Sequence, residues 1–274
     1  MAVVGSDVAA ARGVAFDART HGRSRLSRAG ALLSLVLLAS CARASTFAPS
    51  EVIDLGALVT DDLPQRFWGT GFLKAMNFSR QNSVELIRWS FPVPGADSVH
   101  GSNAYYTLFN HGGPHVDGPI HVGAGRGIDS YAVQSFSGTA KVFDVRGLPP
   151  GRSIPAGVFR GHVEPGDIVL VLTGYKAPGG DSLPVVTTLT HEAAEYLATL
   201  PVRAVGTDAF SIEALTDATS PWIHQTLLSR GIPVYEQLQH LDRLLGKKRL
   251  FFDGTPLNIK DGDGMMVRPV VFVY

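Results

Sequence analysis

His111-Gly112-Gly113-Pro114-His115-Val116-Asp117-Gly118-Pro119-Ile120-His121 packs three of the chain's nine histidines and an aspartate into eleven residues. Imidazole nitrogen and carboxylate oxygen suit zinc, manganese or iron, and a catalytic centre needs a few protein ligands plus a position left open for water or substrate. If the run is extended, His111, His115 and Asp117 share parity and project to one side, because strand side chains alternate with period two. Gly112, Gly113, Pro114, Gly118 and Pro119 instead indicate an irregular loop and rule out a helix. The run is therefore not the i, i+4 pair of the helical H-E-x-x-H proteases.

Outward from this run, short β-rich stretches recur between turn signals: Glu51–Leu55, Ala104–Phe109, Lys141–Val145, Ile168–Leu172, Arg203–Gly206 and Val270–Val273. Their β-branched and aromatic residues predict strands. Helical patterns are fewer. Thr190 is placed to cap a helix from His191 through Leu200, with Ala194, Leu197 and Leu200 on one stripe. A second helix is expected over Pro221–Ser229, ending before Gly231, and a third over Glu236–Leu245. No repeat or low-complexity linker divides residues 46–274, so one α/β domain is the economical reading.

The whole chain has 274 residues, 45% hydrophobic and 18% charged, enough to bury a substantial core. Lys plus Arg and Asp plus Glu both total 24, which leaves no net field to attract nucleic acid. The 30 glycines and 17 prolines suit many short strands better than a helical bundle. Residues 1–45 read as a separate leader. Arg23, Arg25 and Arg28 precede the apolar run Ala31–Ala39, followed by small residues, in the order of a secretory signal. That run is too short to span a bilayer comfortably. The only cysteine, Cys41, lies in Leu38-Ala39-Ser40-Cys41, which resembles a bacterial lipobox, while Ala42-Arg43-Ala44 offers a competing cleavage site. Either route exports the protein, to the periplasm, the medium or a membrane surface through a lipid on Cys41. With one cysteine no disulfide forms within the chain, so the domain depends on its core and on metal.

The histidine run resembles the H-x-G-T-H-x-D-x-P-x-H signature of the cyclase family, which includes bacterial kynurenine formamidase and isatin hydrolase. His111, Gly113, His115, Asp117, Pro119 and His121 match, and Pro114 replaces the usual threonine or small residue. Downstream, His224-Gln225-Thr226-Leu227-Leu228 with Gly231–Leu238 is similar to the family's second ligand segment. Weaker matches are Val205–Asp208 with Ser211-Ile212-Glu213, and Pro256-Leu257 through Gly262-Asp263-Gly264 to Arg268-Pro269. They span residues 50–274 in the family's order.

The resemblance implies a swivelling β/β/α fold, assembled as a dimer or larger oligomer whose subunits contribute to one another's pockets. It implies one divalent metal on His111, His115 and Asp117 and a second on Asp117, His224 and Glu236, two Zn²⁺ or alternatively Mn²⁺, with His121 as catalytic base and acid. Glu236 could instead merely favour a helix dipole, and family members without it are thought to hold a single metal. Asp208 could cap or hydrogen-bond a strand end and is left outside the metal shell. His21, His100, His162, His191 and His240 are read as surface or hydrogen-bonding residues. Pro114 has neither a side-chain donor nor a backbone N–H, which puts substrate range in more doubt than reaction type. Phe67, Trp68, Phe72 and Phe78 lie where the family often builds pocket walls, although each could equally be core.

The implied activity is hydrolysis of an amide, formamide or cyclic amide, with N-formylkynurenine, on the path from tryptophan to kynurenine, the best-known substrate. Export argues against a dedicated cytosolic step and leaves isatin-like and lactone substrates open. The competing class is an exported metal or small-ligand binding protein without turnover. His121 argues against it, since it would add little to a pure binding site.

Overall fold

The computed structural model describes residues 48–60, 62–75, 84–214 and 222–274. The leader expected over 1–45, with His21 and Cys41, lies outside the described residues, as do Phe78 and Pro221. Pro49–Tyr274 forms one compact unit. Among the described residues no helix is long and apolar enough to cross a membrane.

All six apolar runs form strands. The elements are β1 (Glu51–Asp54), α1 (Leu63–Trp68), α2 (Thr70–Ala75), β2 (Val84–Val93), β3 (Ala96–Leu108), β4 (His115–Asp117), β5 (Ser137–Asp144), β6 (Ile168–Leu172), α3 (His191–Thr199), β7 (Ala204–Thr207), α4 (Trp222–Leu228), β8 (Val234–Glu236), β9 (Leu250–Asp253), β10 (Gly264–Met266) and β11 (Val270–Val273). Nine strands make one mixed sheet in the order β1-β11-β9-β5-β6-β7-β8-β4-β10, and β2 pairs with β3 in a separate ribbon. Strands β5 to β8 run parallel. The remaining pairings are antiparallel. This mixed α/β sheet fits the cyclase-like fold class.

Strand β6 shows why the centre of the sheet is fixed. All five of its residues are buried, as expected of a parallel strand covered on both faces. Val169 and Val171 pack into the layer with Ala194, Leu197, Ile223 and Leu227 of α3 and α4. Ile168, Leu170 and Leu172 enter the opposite layer with Tyr235, Phe252 and Val271. Thr190 caps α3, its hydroxyl accepting from the Ala193 amide at 3.1 Å.

Two expectations are corrected. The helix expected over Glu236–Leu245 does not form; Val234–Glu236 is strand, and only Leu241–Leu244 makes a 3-10 turn. Gln237 and His240 take φ of 61° and 57°, and the Gln237 and Leu238 amides donate to Ala209 and Thr207 carbonyls instead of to their own turn. Sheet pairing has overridden helical propensity. The histidine run is also more regular than its glycines and prolines suggest. His115–Asp117 is a strand hydrogen-bonded on both sides, and Pro119–Val122 is a 3-10 turn that Pro119 begins.

Candidate metal centre

Strand β4 sits between β8 and β10, and this register assembles the site. His115 lies opposite Glu236 on one side, and Asp117 lies opposite Gly264 on the other. His115 and Asp117 have equal parity on β4, so both reach the same point; His115 Nε2 is 3.3 Å from Asp117 Oδ1. His111 arrives from the turn before β4, with its Nδ1 2.9 Å from Asp117 Oδ1. A β-carbon on Gly264 would sit 2.7 Å from His111 Cε1 and 2.9 Å from the Val116 carbonyl, so glycine is what lets the ring lie over β10. Helix α4 supplies His224, whose Nε2 is 3.5 Å from Asp117 Oδ2 and 3.1 Å from Glu236 Oε1. The sequence reading named these five residues, and the fold brings them together from β4, β8, α4 and one turn.

His121 stands beside the five, at their solvent-exposed side on the Pro119–Val122 turn. Its ring centre is 4.6 Å from that of His111 and 5.7 Å from that of His224. Desolvation of the ring lowers its pKa; Asp117 opposes the shift, while His111 and His224 reinforce it. Burial likewise works against charge on His111, but Asp117 and Asp263 prevail and raise its pKa to about 10. His224 is raised well above the ordinary value for the same reason: burial opposes, and Glu236, Asp117 and Glu213 outweigh it. Asp117 is fully buried, yet the three neighbouring imidazoles hold it well below the usual carboxylate range. The electrostatics of the centre thus demand positive charge beside Asp117.

The donor set fits a cation better than it fits itself. Both Asp117 oxygens and His224 Nε2 are buried and have no hydrogen-bonding partner, close as their neighbours are. Buried polar atoms are otherwise hydrogen-bonded in all but a few cases. Lone pairs that converge without intervening hydrogens are what a metal ion requires. His111, His115 and Asp117 can offer ligand atoms within 4.8 Å of one another, as can Asp117, His121 and His224.

Sequence reasoning left three neighbours without a role. Asp263 Oδ2 lies 3.2 Å from His111 Nε2, Glu213 Oε2 lies 3.2 Å from His224 Nδ1, and Asn110 Nδ2 donates to Asp263 Oδ1 at 2.7 Å. Two of them lie inside the segments that resemble the family, but nothing local tells which carboxylate there faces a histidine. Asp208 behaves as a structural residue, accepting from the Thr173 amide and hydroxyl and from the Gly174 amide at 2.6–2.8 Å. Phe67 is core, in a cluster with Leu63, Val186 and Phe210. Trp68 and Phe72 are half-buried, and Trp68 stacks edge-on against Phe109 at 5.2 Å, whose ring is 6.1 Å from His111. Pro114 is buried, and its carbonyl accepts from the Val267 amide at 2.8 Å.

The cyclase family model matches residues 47–214. The chain belongs to the cyclase family. Among curated relatives, the chain is 34% identical over 166 residues to a kynurenine formamidase of Salinibacter ruber, covering 60% of this chain and 76% of that protein. It is 26% identical over 224 residues to the kynurenine formamidase of Bacillus mycoides, covering 81% of this chain and 97% of the relative. The cyclase fold is also shared with isatin hydrolase A of Labrenzia aggregata, at a TM-score of 0.64, 21% identity, 88% of this chain and 99% of the other.

Proposed function

We propose that this protein hydrolyses the C–N bond of an aryl formamide or cyclic amide, with N-formylkynurenine the first substrate to test. Membership of the cyclase family makes it a metal-dependent hydrolase. The observation that carries the reading is the buried, unpartnered set of Asp117 oxygens and His224 Nε2, with His121 beside it at the solvent-exposed side. His111, His115 and Asp117 would hold one divalent ion, and Asp117, His224 and Glu236 a second, Zn²⁺ or Mn²⁺. The ions would polarise the substrate carbonyl and lower the pKa of water from 15.7 to about 7. His121 would take a proton from the attacking water and deliver it to the leaving nitrogen, as the new C–O bond forms and the C–N bond breaks. For a formamide the products are formate and the free arylamine. A shuttle of this kind contributes about 10²–10⁴ in rate. Trp68, Phe72 and Phe109 would offer the aryl group a wall adjoining His111.

The second reading is hydrolysis of isatin or a lactone, favoured by the fold shared with isatin hydrolase. Activity on N-formylkynurenine, isatin and a lactone series, measured before and after chelation and after adding back Zn²⁺ or Mn²⁺, decides between them. Activity that survives complete metal removal contradicts both.

Residues 46–274 would act after export directed by residues 1–45, with Cys41 lipidated or the leader cut after Ala44. Homo-oligomerisation is supported by the β2–β3 ribbon, whose Leu86, Ile87, Trp89, Phe91, Tyr105 and Tyr106 are exposed. A two-stranded ribbon is marginal in water without a covering layer.

A further inference from the structure

The weakest segments of the family resemblance, around Glu213 and Asp263, have no part in the proposed ligand set, yet each carries a carboxylate that touches an imidazole from outside. Each histidine of the centre has one nitrogen turned toward Asp117 or Glu236 and the other tied outward. His115 Nδ1 faces the Gly113 carbonyl at 2.8 Å, which leaves Nε2 pointing inward. His224 Nδ1 faces Glu213 Oε2, leaving Nε2 inward. His111 is reversed: its Nε2 faces Asp263 and its Nδ1 faces Asp117. A carboxylate accepts but never donates, so the outward nitrogen beside it carries a hydrogen, and with a cation bound the inward nitrogen would be the one that offers its lone pair.

Both outer carboxylates are themselves held. Glu213 Oε2 accepts from the Ile223 and His224 amides at 3.0 and 3.1 Å, which locks it to the first turn of α4. Asp263 accepts from Asn110 Nδ2 through its other oxygen, and its backbone carbonyl takes the Gly118 amide at 2.8 Å, which ties it to the residue after Asp117. The two differ in exposure. Glu213's side chain is 14% exposed and Asp263's is 51% exposed, so Asp263 can be changed with little risk to folding.

We propose that Asp263 and Glu213 are positioning residues that set the tautomers of His111 and His224, presenting Nδ1 of the first and Nε2 of the second to the metal centre. This rests on the reading of the five-residue cluster as a metal site. Outer-sphere partners of metal-bound histidines typically account for 10- to 100-fold in metal affinity. The reversed ring of His111 places its Nε2 3.2 Å from Asp263 Oδ2, so Asp263 is the acceptor that holds its outward nitrogen.

The test uses the full chain and Zn²⁺ as the probe. Its dissociation constant is measured by competition with a chromophoric chelator for wild type, Asp263→Ala, Asp263→Glu and Glu213→Gln, alongside the melting temperature of each chelated protein. Asp263→Ala is expected to weaken Zn²⁺ about 10- to 100-fold at unchanged metal-free melting temperature, with Asp263→Glu recovering part of the loss. Glu213→Gln is expected to weaken it comparably, and X-ray absorption of each zinc-loaded variant should count the same number of nitrogen and oxygen ligands as wild type. Affinity within two-fold of wild type in Asp263→Ala overturns the assignment, as does a lost ligand in its absorption spectrum, which would make Asp263 a direct ligand. A wild-type protein that binds no Zn²⁺ or Mn²⁺ instead removes the underlying metal-site reading, and is read from the first titration.

Discussion

Asp117 and Asp208 stand at the same kind of place: one is the last residue of β4, the other follows β7 directly, the first fully buried and the second half-buried. Their surroundings are opposite. Asp208 is enclosed by N–H and O–H donors from Thr173 and Gly174, so its oxygens are satisfied by the chain. Asp117 is enclosed by the imidazole nitrogens of His111, His115 and His224, and neither oxygen has a hydrogen-bonding partner. Burial raises the pKa of Asp208 even against its hydrogen bonds, whereas burial at Asp117 is outweighed by His115, His111 and His224. A carboxylate satisfied by the chain's own donors stabilises a fold. One left facing nitrogens is built for a cation.

Substituting the two aspartates should therefore separate chemistry from stability. Asp117→Ala should lose bound metal and lower turnover at least about 10³-fold, since carbonyl polarisation and water activation go together; metal analysis and single-substrate kinetics check it. His121→Ala should keep its metal and lose about 10²–10⁴ in turnover. If its rate matches wild type, His121 is not the proton carrier. Asp208→Ala should do the reverse of Asp117→Ala. Three hydrogen bonds to a carboxylate disappear, so unfolding in urea should show a loss of about 2–4 kcal/mol with metal stoichiometry unchanged.

The smallest expected effect is in pH dependence. Because the folded pKa of Asp208 is raised, its titration contributes stability that is fully present below the ordinary value of 3.8 and is lost as pH rises through the raised value. The stability advantage of wild type over Asp208→Asn should therefore narrow as urea unfolding is repeated from acid toward neutral pH. An advantage that widens instead would mean that hydrogen bonding outweighs burial there. Asp117 is shifted the other way, so its contribution is present above 3.8 and lost as pH falls.

Which parts of this were legible before the fold follows from how local each determinant is. The run His111–His121 carries four chemically loaded side chains in one stretch, and period-two alternation correctly paired His115 with Asp117. His224 and Glu236 came only with the family resemblance, since no periodicity links α4 to β8. Glu236 also shows where local reading failed: its neighbours suggest a helix, but pairing of β8 with β4 and β7 captures it as strand. Strand β2 is missing from the predicted strands although Ile87, Trp89, Phe91 and Val93 alternate with Arg88, Ser90 and Pro92, a period-two pattern the sequence does carry. Asp263 could not be assigned because it meets His111 across 152 residues; Glu213 is only 11 residues from His224, but no periodicity links the loop that carries it to the first turn of α4.

The most direct measurement is anomalous diffraction from crystals grown with Zn²⁺ or Mn²⁺, recorded on both sides of the metal's absorption edge. Two peaks are predicted, one among His111, His115 and Asp117 and one among Asp117, His224 and Glu236, with Asp117 common to both and His121 bound to neither. A single peak would reduce the centre to one metal and return Glu236 to a structural part. No peak beside Asp117 would contradict the account.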